Sequence, residues 1–556
     1  MSRRPPSTAR SSLLVAAGTL ASRVTGFARL FALAYVLGTA RLADAFNLAN
    51  NTPNMIYDLV LGGILGGTLV PVFVERLSSR REDEAWEAIS AIVSVAVVVL
   101  VVATIVFELA AAPIADLYLL ADHAKVVSQE RAVTIDLLRL LAPEVLFYGL
   151  SGLATAVLNA RRRFGAPAFA PVLNNLVAIA ILFALRDELA HPTLGALEHS
   201  RPELLLLGLG TMAGVGLQAF ALLPSLLSKD MGLGWFPSPR HEAVRQVLQL
   251  SGWVFGFVAA NQVTLFVVLT LAAHFSGGVA SYNYAYTFFQ LPYGVVAASV
   301  ITALQPEMAR HFALGDLSAL SADLTKGLKA VGSIVAAAAV GYLILGGPVL
   351  DLVLLHGAAR VTGIADIRSA LELFALGLPG FSVFLVCIRT FQSMQDTKTP
   401  FWIYLVENGV NVVAAFALVG PLGVGGLALS LSLAYTVGAV VALAALARRG
   451  VRPVGLRWAW VGRVALVLGV MAAAVEVVDH VIVGHGEAIE AVRVVLAALI
   501  GVSVFFLMAV RMGRSSILSA DQPGIRRLRG RSAGRPSPSA EPGWRHRSRG
   551  AGPRRP

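Results

Sequence analysis

Charge is what this chain lacks most. Asp, Glu, Lys and Arg make up 14% of its 556 residues, while 56% are hydrophobic. A soluble protein uses about a quarter of its residues as charges to cover its surface. The deficit excludes a soluble globular chain and makes lipid the main solvent. Cysteine is nearly absent, Cys387 being the only one. That excludes an intrachain disulfide and a Cys-rich metal site. No G-x-x-x-x-G-K-[ST] run, dinucleotide fingerprint or H-E-x-x-H occurs, so no nucleotide motor is legible. No catalytic residue, metal or cofactor is expected. Uphill movement would draw on Na+, H+ or the membrane potential. The first apolar run carries no A-x-A-like cleavage site and is expected to stay as a helix.

What is present is a succession of long apolar runs. A crossing takes roughly 20 such residues, and barrel strands would instead alternate over about 10. The expectation is an all-α polytopic membrane protein of about 14 transmembrane helices. Their spans are 11–38, 43–75, 86–110, 131–158, 166–186, 203–228, 242–272, 280–309, 328–347, 366–394, 400–419, 424–447, 458–479 and 488–511. Every second loop is basic, as in "ERLSSRRED", "NARRRFG", "SKDMGLGWFPSPRH" and "ARRGVRPVGLRW". The loops between them are short, neutral or mixed. The positive-inside rule then puts both termini in the cytoplasm.

A weak duplication runs through the chain. "LNARRRFGAPAFAPVLNNLVAIAILFAL" matches "FQSMQDTKTPFWIYLVENGVNVVAAFAL" when Pro167 is laid on Pro400, and Asn175 then falls on Asn408. The helices that follow carry the pairs Gly216-Leu217 and Gly426-Leu427. Six spans separate the copies, so both keep the same orientation, as in a parallel repeat. The expected organisation is a basic N-terminus (1–10), an N-lobe (11–228), a C-lobe (229–447), two extra helices (448–511) and a tail (512–556). Two lobes about a midplane cleft suit alternating access; a structural accident is the plainer reading.

Polar residues inside the spans are costly and few. "ASRVTGFARL" places Arg23 and Arg29 in the first span, where one mid-bilayer arginine costs about 2.5–3.5 kcal/mol on insertion scales. Six residues put them about 9 Å apart along the axis and about 120° apart around it. Gly26 lies between them and could loosen the helix so that both turn to one cavity. Snorkelling to headgroups is the alternative. Guanidiniums that face a cavity suit a phosphate-bearing anion.

The second span holds Asp44, placed to pair with Arg41 or to close a gate. Pro53 breaks it, and Asn50, Asn51 and Asn54 can take up freed backbone groups. Gly62, Gly63, Gly66 and Gly67 form a face for close packing or bending. The eighth span carries Asn283, Tyr284, Tyr286, Gln290 and the bend candidate Pro292. Arg389 and Glu407 either form an ion pair or line the cleft. Glu144 either caps a helix beside Pro143 or serves proton or cation coupling.

From Ser515 the tail holds ten arginines against Asp521 and Glu541, about two-thirds of the net charge of +12. Its Pro, Ser, Gly and Arg content predicts a disordered segment. The expected partner is an anionic membrane surface rather than nucleic acid.

"SRVTGFAR", "ADAFNLANNTPN", "LVPVF", "LNARRRFGAPAFAPVLNN", "LGLGTMAGVGLQ" and "DTKTP" together resemble the MurJ/MviN family of lipid II flippases. That family belongs to the multidrug/oligosaccharidyl-lipid/polysaccharide exporter superfamily. The likeness covers about residues 11–510, and "NTPNMIYDLVLGG" and "FQLPYG" suggest an actinobacterial branch. The resemblance implies fourteen helices, a V-shaped pair of lobes and a lipid-tail groove formed by the last two helices. It implies that undecaprenyl-diphosphate-linked peptidoglycan precursor is the cargo, moved from the inner to the outer leaflet of the cytoplasmic membrane. It makes Arg23 and Arg29 substrate-binding residues and Asp44 the motif aspartate. The chain departs from the family pattern at Tyr57 and Gly62, where arginine and glutamate are usual. It departs again at Tyr286, Thr287 and Gln290, in place of an acidic-basic cluster. Two rival readings stay open: a related multidrug or polysaccharide-precursor exporter, and a non-transporting scaffold for cell-wall synthesis and division proteins.

Overall fold

A computed structural model describes residues 8–62, 69–79, 81–119, 125–188, 193–228, 231–294, 298–455, 458–482 and 486–517. Gly63, Gly66, Gly67 and the tail past residue 517 lie outside the described residues. No strand occurs among those described. Eleven of the described helices are long and apolar enough to cross a membrane. The chain is a multi-pass, all-helical membrane protein.

The first set of packed helices is α1 (Thr8–Leu37), α2 (Arg41–Tyr57), α3 (Val70–Ser79), α4 (Glu82–Tyr118), α5 (Lys125–Leu141) and α6 (Glu144–Ala160), then α7 (Gly165–Glu188), α8 (Leu194–His199), α9 (Arg201–Phe220) and α10 (Leu223–Leu226). The second set is α11 (Glu242–Ala272), α12 (Gly278–Pro292), α13 (Ala298–Ala313), α14 (Leu317–Leu354), α15 (Ala358–Thr362), α16 (Ala365–Ser393) and α17 (Lys398–Arg448). Two last helices, α18 (Trp458–Val481) and α19 (Glu487–Ile517), pack on each other and on α14. Small clusters such as Val467, Met471 and Phe505 make that seam. Their other faces leave Leu466, Leu499 and Leu507 more than half exposed, as lipid-facing side chains are.

The 51 residues of α17 would extend about 75 Å if straight, more than twice a hydrocarbon core of about 30 Å. Gly423 resolves this. Its φ of 55° and ψ of −137° lie in a region essentially closed to residues with a Cβ, and the helix folds back there. Ser430 Oγ donates to Asn411 Oδ1 at 2.8 Å, and Arg449 Nη2 to Thr399 Oγ1 at 2.8 Å. The two arms are therefore antiparallel, matching the expected break between 400–419 and 424–447.

The second expected span changes its winding: after α2 the chain makes a π-helical turn over Asp58–Gly62, and α3 begins at Val70. The expected break at Pro53 is not made, since α2 runs on through it to Tyr57; Asn54 Nδ2 donates to the Asn50 carbonyl at 3.0 Å. In the eighth expected span α12 runs to Pro292 and is followed by π-helical Tyr293 and Gly294, and α13 begins at Ala298.

The loops sort by end as the charge pattern predicts. Arg161 reaches Glu82 at 3.4 Å and lies over the Trp86 ring. The Gly234 N–H donates to Ser90 Oγ, and those of Arg452 and Val454 to Ser321 and Thr325. At the opposite end Thr39 meets Thr362, and Arg201 meets Asp136.

The repeat is visible in backbone geometry. Arg162 and Gln395, one laid on the other by the Pro167–Pro400 alignment, are the two non-glycine residues with positive φ among those described, both at 57°. Each turn closes with the same bonds: Arg163 N–H to Leu158 O at 2.8 Å, and Asp396 N–H to Phe391 O at 3.0 Å. Asn175 Nδ2 reaches Thr25 Oγ1 of α1 at 3.0 Å, and Asn408 Nδ2 reaches Asn261 Oδ1 of α11 at 2.6 Å. The Gly-Leu pairing does not hold in space. Gly216 faces Phe147, whereas Gly426 sits against the Leu418 carbonyl at the bend of α17. The glycines with matching neighbours are Gly214, beside Asn174, and Gly438, beside Glu407. Different loop lengths before the last helix of each copy account for the slip.

Candidate functional site

The site begins with the first two helices and the seam they make with the second set. Arg29 Nη2 donates to Asn50 Oδ1 on α2 at 3.1 Å. Its charge also acts on Glu144 and Tyr148 of α6. Glu144 is fully buried, and neither carboxylate oxygen has a hydrogen-bond partner among the described residues. It makes no capping bond at the start of α6, which overturns the capping reading. Arg29 is thus turned into protein, where a buried carboxylate needs a cation nearby.

Arg23 faces elsewhere. A Cβ placed on Gly294 would lie 3.3 Å from its Cζ, so its guanidinium covers the backbone just past α12. Below it Phe27 packs edge-on against Phe288 at 5.4 Å. Because α1 runs unbroken through Gly26, the two arginines keep their helical offset and meet different neighbours. The expected bend at Gly26 is not made, and neither arginine lines the large cavities found among the described residues.

The end opposite the basic loops is tied across the seam, beside a cavity of about 1010 Å³ lined by Ala40, Ser276 and Thr362 among others. Asp44, fully buried on α2, accepts from the N–H groups of Gly277 at 2.6 Å and Ala280 at 2.9 Å, at the start of α12. The carboxylate thereby caps a helix of the other set and meets its positive dipole end. Gly277 has φ 79° and abuts the Thr39 carbonyl, so a Cβ there would overlap it. Thr39 Oγ1 is 2.8 Å from Thr362 Oγ1. The expected Arg41–Asp44 pair does not form. Arg41 instead bonds the buried Glu130 at 2.7 Å, which leaves Asp44 free to cap across the seam.

Toward the basic end lies a cavity of about 1000 Å³, with Asp58, Gly62, Gln262, Gln305, Arg389 and Gln392 among its lining residues. Gln262 Nε2 donates to Asp58 Oδ2 at 3.3 Å, and Arg389 Nη1 to Gln392 Oε1 at 3.0 Å. Arg389 and Glu407 are not an ion pair: Glu407 is 3% exposed and accepts from Asn408 Nδ2 at 2.9 Å. Gly438 lets the neighbouring arm of α17 close over it. Tyr57 stands over Tyr148 at 5.9 Å between centroids.

Asn283 keeps a buried Nδ2 without a partner among the described residues. Gln290 meets the Tyr286 hydroxyl, and Tyr286 stacks on Tyr282. The carboxamides of the cavity were not legible in the sequence. They come from separate helices, and no local pattern marks them. In the turn before α17, burial works against ionisation of Asp396, but Thr399, Arg449 and the Lys398 N–H outweigh it, holding its carboxyl below the usual range.

Two repeated sets of membrane-length helices, joined at one end by a cap across their seam and with Arg23 at that seam, define a two-lobed membrane transporter. A model of the lipid II flippase MurJ family matches residues 33–497. The chain belongs to that family. It is 28% identical over 513 residues to a probable lipid II flippase MurJ of Rhizobium tropici, covering 90% of this chain and 93% of that one. It is 26% identical over 447 residues to lipid II flippase MurJ of Burkholderia cenocepacia, covering 80% and 84%. The fold is similar to lipid II flippase MurJ in an inward closed conformation, with TM-score 0.74, 20% identity and coverage of 91% and 100%. It is also similar to an inward-facing transporter of the multidrug resistance MATE family, with TM-score 0.63, 15% identity and coverage of 76% and 94%.

Proposed function

We propose that this flippase carries undecaprenyl-diphosphate-linked peptidoglycan precursor from the inner to the outer leaflet of the cytoplasmic membrane by alternating access. The observation that supports the reading is the Asp44 cap across the seam, with Arg23 over Gly294 at the seam and Arg29 inside the first set. The basic end and both termini face the cytoplasm, by the positive-inside rule. The chain crosses fourteen times, counting α17 as two crossings and each of the pairs α2–α3 and α12–α13 as one. Arg23 and Arg29 grip the diphosphate, a dianion that guanidiniums bind bidentately. Release of the Asp44 cap then lets the lobes part at the outer end. A gradient of Na+ or H+, or the membrane potential, drives the cycle. A groove formed by the last two helices takes the polyprenyl tail. The arginine-rich tail tethers the protein to anionic lipid.

The test is leaflet-specific accessibility of lipid II in cells depleted of the protein and complemented with variants. Arg29→Glu or Arg23→Glu is expected to abolish complementation with membrane expression intact. Full activity of the double Arg→Ala variant would refute the diphosphate grip.

A further inference from the structure

The first set of helices buries an acid that neither grips cargo nor ties the seam. Glu144 opens α6 midway along a membrane-length stretch and is fully buried. Neither of its carboxylate oxygens has a hydrogen-bond partner among the described residues. Arg29 acts on it through space, while the guanidinium itself donates to Asn50. Asn174 Oδ1, packed against Gly214, is buried without a donor as well. Tyr148 links the two residues: its hydroxyl meets Asn54 and Asn174, and the charge of Glu144 acts on it. The pocket thus holds three acceptor oxygens with no donor for any of them among the described residues. A buried acceptor left in that state is costly, and protonation turns a carboxylate oxygen into a donor.

Other charges on the helices packed against α6 face other partners. Arg41 of α2 meets Glu130, and Asp44 caps α12. Arg76 of α3 meets Gln246 and Glu242, and Glu108 of α4 feels Arg139. Arg186 of α7 lies over the Tyr35 ring, and Arg201 of α9 meets Asp136. Arg29 is left as the fixed charge that faces Glu144. Water lies within reach: Tyr148 stands over Tyr57 at 5.9 Å between centroids, and Tyr57 adjoins Asp58 on the wall of the cavity toward the basic end.

One guanidinium cannot serve two anions equally. When Arg29 turns to a diphosphate, Glu144 becomes a buried charge without a cation, which is strongly unfavourable. We propose that Glu144 is a proton-binding site that fills together with the cargo, the diphosphate on Arg29 and the proton on Glu144. The proton comes from water in the cavity, and a lone pair of the carboxylate becomes the new O–H bond. A metal cation is the poorer occupant, since no cluster of acids able to hold one occurs among the described residues. The inference rests on the diphosphate grip and adds a second ligand to it. Linkage fixes the sign: a lipid that brings a proton with it binds more weakly as pH rises, by up to about tenfold per unit.

The experiment uses the full-length protein in nanodiscs, undecaprenyl diphosphate as the probe, and a pH-indicator dye in weakly buffered solution. Wild type is expected to take up about one proton more per bound lipid than Glu144→Gln. Its affinity should also fall more steeply with rising pH than that of the variant. Glu144→Asp should keep the uptake. Infrared difference spectra of the wild type should gain the carbonyl stretch of a protonated carboxyl when lipid binds, and Glu144→Gln should lack it. Proton release, no exchange, or equal pH slopes in wild type and Glu144→Gln would overturn the site and leave the diphosphate grip standing. A dependence on Na+ in place of pH would overturn it in favour of a metal cation. A wild type that binds no lipid would overturn the grip and the proton site with it.

Discussion

The two halves of this molecule share a backbone but not a chemistry. Both turn at a non-glycine residue with φ of 57°, Arg162 in one and Gln395 in the other. Both send an asparagine from the next helix to the first helix of their own set. Their interiors then diverge. The first set keeps Arg23, Arg29 and the orphaned Glu144 within membrane-length helices. The second keeps Arg389 and the buried Glu407 within such helices and adds a cluster of rings: Phe289 lies 5.1 Å from both Phe374 and Phe381, and Phe381 4.6 Å from Tyr435. Duplication preserved the turns and asparagines that position the helices, while the side chains around them differ.

Four experiments would break or sharpen that contrast. The largest effect is expected from charge reversal in the first half. Arg29→Glu sets a second carboxylate beside Glu144 and should abolish complementation, while reversal of Arg389 in the second half should leave diphosphate-only cargo moving. Next is the seam itself. Asp44→Ala removes two charge-assisted bonds to α12, a change on the order of 1–2 kcal/mol. Spectroscopic distances between labels at Ala40 and Val361 should then show the outer end opening in a larger share of molecules.

A smaller effect is expected at the paired turns. Arg162→Gly and Gln395→Gly each relieve a left-handed residue by about 1 kcal/mol, so thermal unfolding in detergent should rise equally in both. Of the two residues only Gln395 lines the cavity beside Asp58 and Arg389, so only its variant should alter transport. The smallest effect concerns Asp396. Its carboxyl sits below the usual range in the folded protein, so its contribution is present above about pH 4 and fades as pH falls further. Arg449 is 43% exposed, and a pair of that kind is worth about 0.5 kcal/mol. Asp396→Asn should therefore lower thermal stability slightly and evenly between pH 5 and 8, whereas Arg163→Gln in the matching turn should show no fade in acid.

Much of this was legible in the residues. Apolar runs of membrane length need no tertiary information to be recognised, because a helix in lipid satisfies its own backbone. The break near Gly423 and the sorting of basic loops followed from local chemistry in the same way. The partner of each intramembrane charge was not legible. Arg41 chose Glu130 over its neighbour Asp44, and Arg389 stayed apart from Glu407. Those choices depend on which helices touch and at what height, and a repeat with unequal loops shifts both, as the Gly216–Gly426 mismatch shows.

By itself, then, the sequence determined the membrane-spanning helical class, the duplicated plan and the placing of two fixed cations in the first helix. Only the tertiary structure decided that Asp44 would tie the far end by capping α12, and that acids and an arginine from different lobes would share one hollow. The physical reason is range. Hydrophobic periodicity and helix breaking act over a few residues, whereas a cap across a seam joins groups more than 230 positions apart.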